Sequence, residues 1–482
     1  MLFVTEEFLL FFLIVYVLFW LLPDRARMSL LILASLVFYA SWSIPFLFHL
    51  LAVVAINYVV MELWRSYRQN WMFYLLQAAN ILNIACFKYF YFFADVLGFV
   101  FGVFAWREPA LRLADRLDGS EIFLPLAISF YTFQIMSYGI DIFRGEYTRR
   151  HSFREVLLFK SFFPQLIAGP IMRSHELLPQ VAALGENNGP RPDAARMRKG
   201  LWLVMIGVFK KVVVASVLLA YIAPIVNREA DPTNFHPGVI WLAIVGCLFM
   251  LYADFSAYSD MARGFGALLG FEIPENFRAP FFMTSVSDYW RRWHLTFSRW
   301  IRDYIYIPLG GSRVGEWRVY LNYLVTFFIA GLWHGASYTF VVWGIVVGII
   351  LSVESYIRRR GFEEWPATWP LRFARLGLAW LFLIPSSLLF FAPNWDWALT
   401  ALGHMFNPLA FFAGGYQTLP HTESFLGGSL GVLLFHFVEE KPASFRWIRR
   451  YETWLLPAGG LILILFLTQF SGKAQDFFYF QF

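Results

Sequence analysis

Charge is scarce in this sequence. Asp, Glu, Lys and Arg supply only 15% of its 482 residues, against about 25% in an ordinary soluble domain. Cysteine is nearly missing as well: Cys86 and Cys247 are the only two, and both fall inside apolar runs. Two such thiols support neither a disulfide framework nor a metal motif. No internal repeat is evident, which weighs against a transporter built from inverted repeats. The turn Pro308-Leu309-Gly310-Gly311-Ser312-Arg313 has the glycines of a phosphate-cradling loop without the Walker spacing. The net charge is +6, yet the arginines form short clusters between apolar runs and no continuous basic face. No nucleic-acid partner is read from them, because such clusters are what cytoplasmic loop retention produces.

What the chain has in abundance is apolar surface, with 59% hydrophobic and 20% aromatic residues. Candidate spans are 8–22, 28–43, 45–61, 72–92, 122–143, 156–171, 201–226, 239–251, 319–351, 373–391, 426–438 and 454–470. Several fall short of the roughly 20 residues a full crossing needs, so some are expected to be re-entrant. The expected fold is an all-α polytopic membrane protein with roughly ten to twelve transmembrane helices plus re-entrant and interfacial helices. The first run lacks a basic n-region and reads as a retained span. The acidic pair Glu6–Glu7 before it, and Asp24, Arg25 and Arg27 after it, place the N-terminus outside and the first loop inside. One membrane domain is expected over 1–482, with possible halves 1–186 and 191–482 joined by the turn-rich Asn187-Asn188-Gly189-Pro190-Arg191-Pro192.

One titratable group stands out. His334 sits in Gly331-Leu332-Trp333-His334-Gly335-Ala336-Ser337, deep in an apolar run bounded by Arg318 and Glu354. On a continuous helix it would lie roughly 24 Å from the first and roughly 30 Å from the second. Ionisable groups are costly at such depth and persist where they line a cavity or do chemistry. A core histidine hydrogen-bonded between helices is the competing reading. Asn322 and Thr326 precede His334 on a similar face and are expected to orient the site. The other histidines fall mostly at segment ends or in loops; His436, in Phe435-His436-Phe437, is the least ordinary of them.

Residues 288–304 read DYWRRWHLTFSRWIRDY. Trp290, Trp293, Phe297, Trp300, Ile301 and Tyr304 recur at helical spacing, with Arg291, Arg292, Ser298, Arg299, Arg302 and Asp303 on the other side. This predicts one amphipathic helix at the membrane interface, with His294 on the border of its faces. Asp288 is spaced to pair with Arg291 or Arg292. The helix serves either as a lipid anchor or as the entrance for an anionic thioester, since arginine forks bind phosphate well. Upstream, Asp254 and residues 256–259 form a polar patch in an apolar setting.

In order along the chain, Tyr289-Trp290-Arg291-Arg292-Trp293-His294, Pro308-Leu309-Gly310-Gly311 and Gly331-Leu332-Trp333-His334-Gly335 resemble the membrane-bound O-acyltransferases. Residues 31–40, Ala168-Gly169-Pro170-Ile171, residues 252–264 and the aromatic tail 477–482 are similar to the bacterial branch that acetylates alginate and other exopolysaccharides. The teichoic acid D-alanyl transferase is a more distant likeness. The resemblance spans nearly the whole chain and implies a ring of helices around a central channel in the bacterial inner membrane. It matches the family's catalytic histidine to His334 and its second histidine to His294. Arg291, Arg292, Asp288, Asn322 and Trp333 are the expected substrate-binding residues. No bound cofactor or metal is expected; the acyl donor implied is acetyl-CoA or another acyl thioester. The partners implied are periplasmic esterase-like acetyltransferase or acetyl-carrier proteins, an exopolysaccharide synthase complex and membrane lipid. His334 is then expected to act as general base on the acceptor hydroxyl, with His294 orienting the thioester and stabilising charge on its carbonyl oxygen. A transporter or flippase for lipid-linked sugars, a structural subunit of a secretion complex, and a lipid or teichoic-acid-like acceptor are the alternatives.

Overall fold

A computed structural model of the chain describes residues 1–89, 125–362, 368–417 and 421–441, together with 451, 454, 455, 459 and 460. The aromatic tail and most of the run 454–470 lie outside these residues. Every regular element among the described residues is helical. Five helices are long and apolar enough to cross a membrane: Ile44–Tyr67, Ala194–Ile222, Pro237–Leu268, Tyr338–Gly361 and Pro370–Phe391. The protein is therefore a multi-pass helical membrane protein. The runs at 8–22 and 28–43 form helices of 16 and 17 residues, shorter than a full crossing requires.

The chain folds into two compact units, one of residues 1–201 and 262–274, the other of 202–261 and 275–482. The first contains α1 (Glu6–Leu21), α2 (Asp24–Ala40), α3 (Ile44–Tyr67), α4 (Asn70–Ile84), α5 (Ile128–Phe143), α6 (Phe153–Ser161) and α7 (Ser174–Gly185). Caps set several of these boundaries. The Ser43 hydroxyl accepts from Phe46 N to start α3, and Ser152 with Glu155 forms a capping box on α6. The turn-rich linker is folded against α2 within this unit: Asp24 accepts from Gly189 N and Arg191, and Arg27 donates to the Pro190 carbonyl.

α8 (Ala194–Phe209) runs through a π-helical stretch, Lys210–Ala215, into α9 (Ser216–Ile222). The remaining helices are α10 (Pro237–Leu268), α11 (Val286–Trp290), α12 (Leu295–Ile301), α13 (Glu316–His334), α14 (Tyr338–Ile357), α15 (Trp369–Phe391), α16 (Trp395–Met405) and α17 (Thr422–Glu440). In the second unit the extra residue of the π-helical stretch lets two consecutive lysines bond α10: Lys210 Nζ lies 2.9 Å from Asp260 Oδ2, and Lys211 pairs with Asp254. Asp254 of the polar patch read from the sequence is thus engaged in an interhelical ion pair.

Two expectations need correction. The apolar run 319–351 is not one span but a helical hairpin, α13 and α14, packed side by side. α13 ends at His334, and the Ser337 hydroxyl caps α14 by accepting from Thr339 N. His334 therefore crowns the tip of a hairpin. The roughly 24 Å back to Arg318 still holds along α13. Glu354, however, returns on α14 and accepts from Ser287 N instead of lying beyond the tip. The segment 288–304 is likewise not a single helix. α11 stops at Trp290, and His294 adopts φ 43°, ψ 56°, a left-handed conformation that ends any continuous helix before α12.

Candidate active site

Within the second unit, α10, α11, the break that follows α11, the α13–α14 hairpin and α15 converge on a small chamber of about 40 Å³. Both singled-out histidines line it, with Leu251, Phe255, Tyr289, Trp293 and Trp343. His334 is 6% exposed and is walled by five rings. The ring centroids of Trp333, Phe390, Trp343, Phe297 and Phe340 lie 4.8, 4.9, 5.2, 6.0 and 6.4 Å away. Phe297 and Trp333 also contact His294, at 5.2 and 6.2 Å. The two imidazoles thus share a wall of two aromatic rings. Space of this size admits a few water-sized groups and no more.

His294 is held with unusual definiteness. Its Nδ1 lies 3.0 Å from Asn276 Oδ1. The same oxygen accepts from Thr296 N at 3.2 Å and from Thr296 Oγ1 at 2.9 Å. Asn276 Nδ2 donates to Ser259 Oγ at 3.1 Å, and the Asn276 carbonyl accepts from Leu295 N at 2.8 Å. Positive φ at a non-glycine residue costs energy, and this lattice of bonds around residue 294 maintains it. Burial pushes the His294 imidazole down to about 3, because charge is disfavoured away from water. It is therefore neutral at physiological pH.

The sign of the resulting pH effect is fixed. The unfolded imidazole titrates near about 6.5 and the folded one lower, so acidification loads the unfolded chain with the proton first. Stability from the neutral ring is complete above about 6.5 and is lost as pH falls below it. In detergent, the thermal midpoint is expected to fall from about pH 7 to about pH 5, and His294→Gln is expected to flatten that fall. An unchanged slope in the variant would count against the buried neutral ring.

A second, larger cavity of about 520 Å³ adjoins these helices. Four arginines line it: Arg291, Arg299, Arg302 and Arg358. Arg302 pairs with Asp303 and Arg358 with Glu354. Among the described residues, Arg291 and Arg299 have no carboxylate within ion-pair distance. Trp290 lines both the arginine cavity and the histidine chamber, so one indole stands between them.

The other sequence-selected residues are used differently. Arg292 is held by Asp288 at 3.1 Å and by Glu440 of α17 at 2.9 Å, which fixes the α11–α12 break and occupies Asp288 too. Asn322 donates to the Gly311 carbonyl at 3.0 Å, seating the glycine turn against α13. Thr326 lines the arginine cavity. Trp333 packs on Phe297 at 4.3 Å beside both histidines. His436 is buried, with Nδ1 3.0 Å from the Val432 carbonyl, and stacks on Phe281. The sequence reading passed over Asn276, Arg358, Ser386 and Ser387. The two serines line the chamber from α15, just after Pro385, which breaks an otherwise apolar run. That Pro-Ser-Ser interruption was the available signal.

Two buried histidines at one small chamber, next to an arginine-lined cavity and carried on apolar helices, form the candidate site. Residues 35–371 match the membrane-bound O-acyltransferase family, and the chain belongs to it. It is 36% identical over 422 residues to the probable alginate O-acetylase AlgI of Azotobacter vinelandii, covering 84% of this chain and 78% of that protein. It is 34% identical over 392 residues to the peptidoglycan O-acetyltransferase of Helicobacter pylori, covering 74% and 71%. The teichoic acid D-alanyltransferase of Bacillus subtilis is more distant, at 26% over 256 residues, covering 50% and 60%. The protein is an acyltransferase.

Proposed function

We propose that this protein moves an acetyl group from a cytoplasmic acyl thioester to hydroxyls of an exopolysaccharide, across the bacterial inner membrane. The meeting of an arginine cavity with a histidine chamber at Trp290 carries this reading. Its relatives named as O-acetylases and O-acetyltransferases support the acyl group and the polymeric acceptor. The arginine cavity suits the phosphates of a coenzyme A or pantetheine-type donor, because guanidinium groups bind phosphate oxygens in pairs. The thioester then enters past Trp290. His334 Nε2 or Nδ1 takes the acceptor hydroxyl's proton as the oxygen attacks the carbonyl, and the thiolate leaves. His294, which lines the same chamber, orients the reacting pair. Ten to twelve crossings enclosing a passage, and periplasmic acetyl-carrying or esterase-like partners beside a polymer synthase, complete the proposal.

The test is vectorial transfer in proteoliposomes, with radiolabelled acetyl-CoA on one side and polysaccharide on the other. The double variant Arg291→Ala/Arg299→Ala is expected to raise KM for the donor by about 10- to 100-fold with little change in kcat, as charge-assisted bonds of about 1.5–3 kcal/mol are lost. Wild-type donor KM in that variant would remove the cavity from the mechanism. Polymer movement without thioester consumption would overturn the function.

A further inference from the structure

The hydrogen bonds around Asn276 determine which nitrogen of His294 can act. A backbone N–H only donates, so the Asn276 atom facing Thr296 N must be the carbonyl oxygen. The side-chain amide nitrogen then faces Ser259 Oγ, as found. This fixes the amide orientation without appeal to its neighbours' protonation. His294 Nδ1, 3.0 Å from that same oxygen, must carry the proton. Nε2 is consequently the lone-pair nitrogen, on a ring that lines the chamber. Such a nitrogen accepts hydrogen bonds. It does not donate one to a carbonyl oxyanion, so the charge-stabilising part expected for His294 from the sequence is not the one this arrangement supports.

We propose that Asn276 is a positioning residue that locks His294 into the Nδ1–H tautomer, so that Nε2 accepts a hydrogen bond from a proton-bearing group of a substrate. This rests on the reading of the chamber as the acyl-transfer site. The group held is an N–H or O–H: the amide of a pantetheine-type arm near its sulfur, or the acceptor hydroxyl. Four residues from three segments maintain the lock, namely Ser259 on α10, Asn276 itself, and Leu295 and Thr296 on α12. Asn276, Ser259 and Thr296 are at most 4% exposed, so water does not compete for these bonds. The elements packed on the ring present Phe255 from α10, Phe277, Phe297 from α12 and Trp333 from α13. Among the described residues, the titratable groups that share the chamber are His334 and Tyr289, and no charged side chain lines it. An added carboxylate would therefore dominate the local field.

The experiment compares Asn276→Asp, Asn276→Ala and His294→Ala, each checked for monodispersity in detergent. In Asn276→Asp the carboxylate still accepts from Nδ1 and from Thr296, but it favours the imidazolium. The acidic limb of the pH–rate profile is expected to move up by about one unit or more, with activity returning at higher pH. Asn276→Ala removes the lock, and kcat/KM is expected to fall by about 10²-fold. Nitrogen-15 NMR of labelled histidine, with His294→Gln for assignment, should show a protonated Nδ1 in the wild type and a mixed tautomer in Asn276→Ala. A larger rise in KM for the thioester than for the polymer assigns the bond to the donor arm; the reverse assigns it to the hydroxyl. If His294→Ala is inactive while Asn276→Asp keeps the wild-type profile, or if the wild-type signal shows Nε2 protonated, the inference is overturned alone. Full activity in His294→Ala overturns the site reading beneath it.

Discussion

Replacing His334 with alanine is expected to leave a folded membrane protein whose kcat is lower by about 10²- to 10⁴-fold, the usual worth of a positioned general base. The fold should survive because the five surrounding rings also contact one another: Trp333 stacks on Phe297 at 4.3 Å, and Phe390 contacts Phe340 and Trp343 at 5.1 and 5.2 Å. Deleting the imidazole opens space at the hairpin tip at a cost of about 1–3 kcal/mol. His334→Gln is the sharper arm, since it keeps bulk and polarity but cannot take a proton at neutral pH. Radiolabelled transfer to polymer, measured beside thermal unfolding, separates lost chemistry from lost structure. A well-folded His334→Gln enzyme turning over at the wild-type rate would remove this residue from the reaction.

The second large effect is expected at the crossing of α13 and α14. A Cβ added at Gly331 would overlap the Phe340 carbonyl oxygen and stand 3.3 Å from Gly344 Cα; one added at Gly344 would overlap the Phe327 carbonyl oxygen. These obstacles are backbone, which cannot rotate away as a side chain does. Small residues at such a crossing let helices approach closely, and membrane bundles depend on that packing. Gly331→Ala and Gly344→Ala should each destabilise by about 1–3 kcal/mol, the cost of overpacking a close contact. Together they are expected to abolish the folded protein or to part the hairpin and with it the His334 chamber. Folded yield by size exclusion and the thermal midpoint report the outcome. A stable, active double variant would mean the helices do not meet as closely as the structure shows.

The features legible in the sequence were those carried by composition and by local spacing. Apolar abundance gave the helical membrane class, and the isolation of His334 singled out a residue that the structure buries at a chamber wall. The hairpin was hidden because both of its arms are apolar and its turn, Gly335-Ala336-Ser337, carries neither charge nor proline. Only the length of the run and a serine able to cap argued for a break. The amphipathic pattern across 288–304 identified buried positions such as Trp293, Phe297 and Trp300, but periodicity cannot register one left-handed residue. Asn276 lies 18 residues before His294 with no motif linking them. Arg292 looked equivalent to Arg291 because its carboxylate partner Glu440 is 148 residues away. Contacts between segments distant in sequence decided each of these cases.

The chamber's lining, mostly aromatic and aliphatic, bears on a competing reaction. A thioester can surrender its acyl group to water as readily as to a sugar, and water is far more abundant on either face of a bilayer. With Trp290 lining both the arginine cavity and the chamber, and with space beside the imidazoles for only a few atoms, solvent has little room to assemble next to a thioester carbonyl held there. Wasteful cleavage of the donor should therefore stay slow until an alcohol fills the remaining volume. The tightness of the tip, more than the strength of its base, is what would make this enzyme a transferase and not a hydrolase.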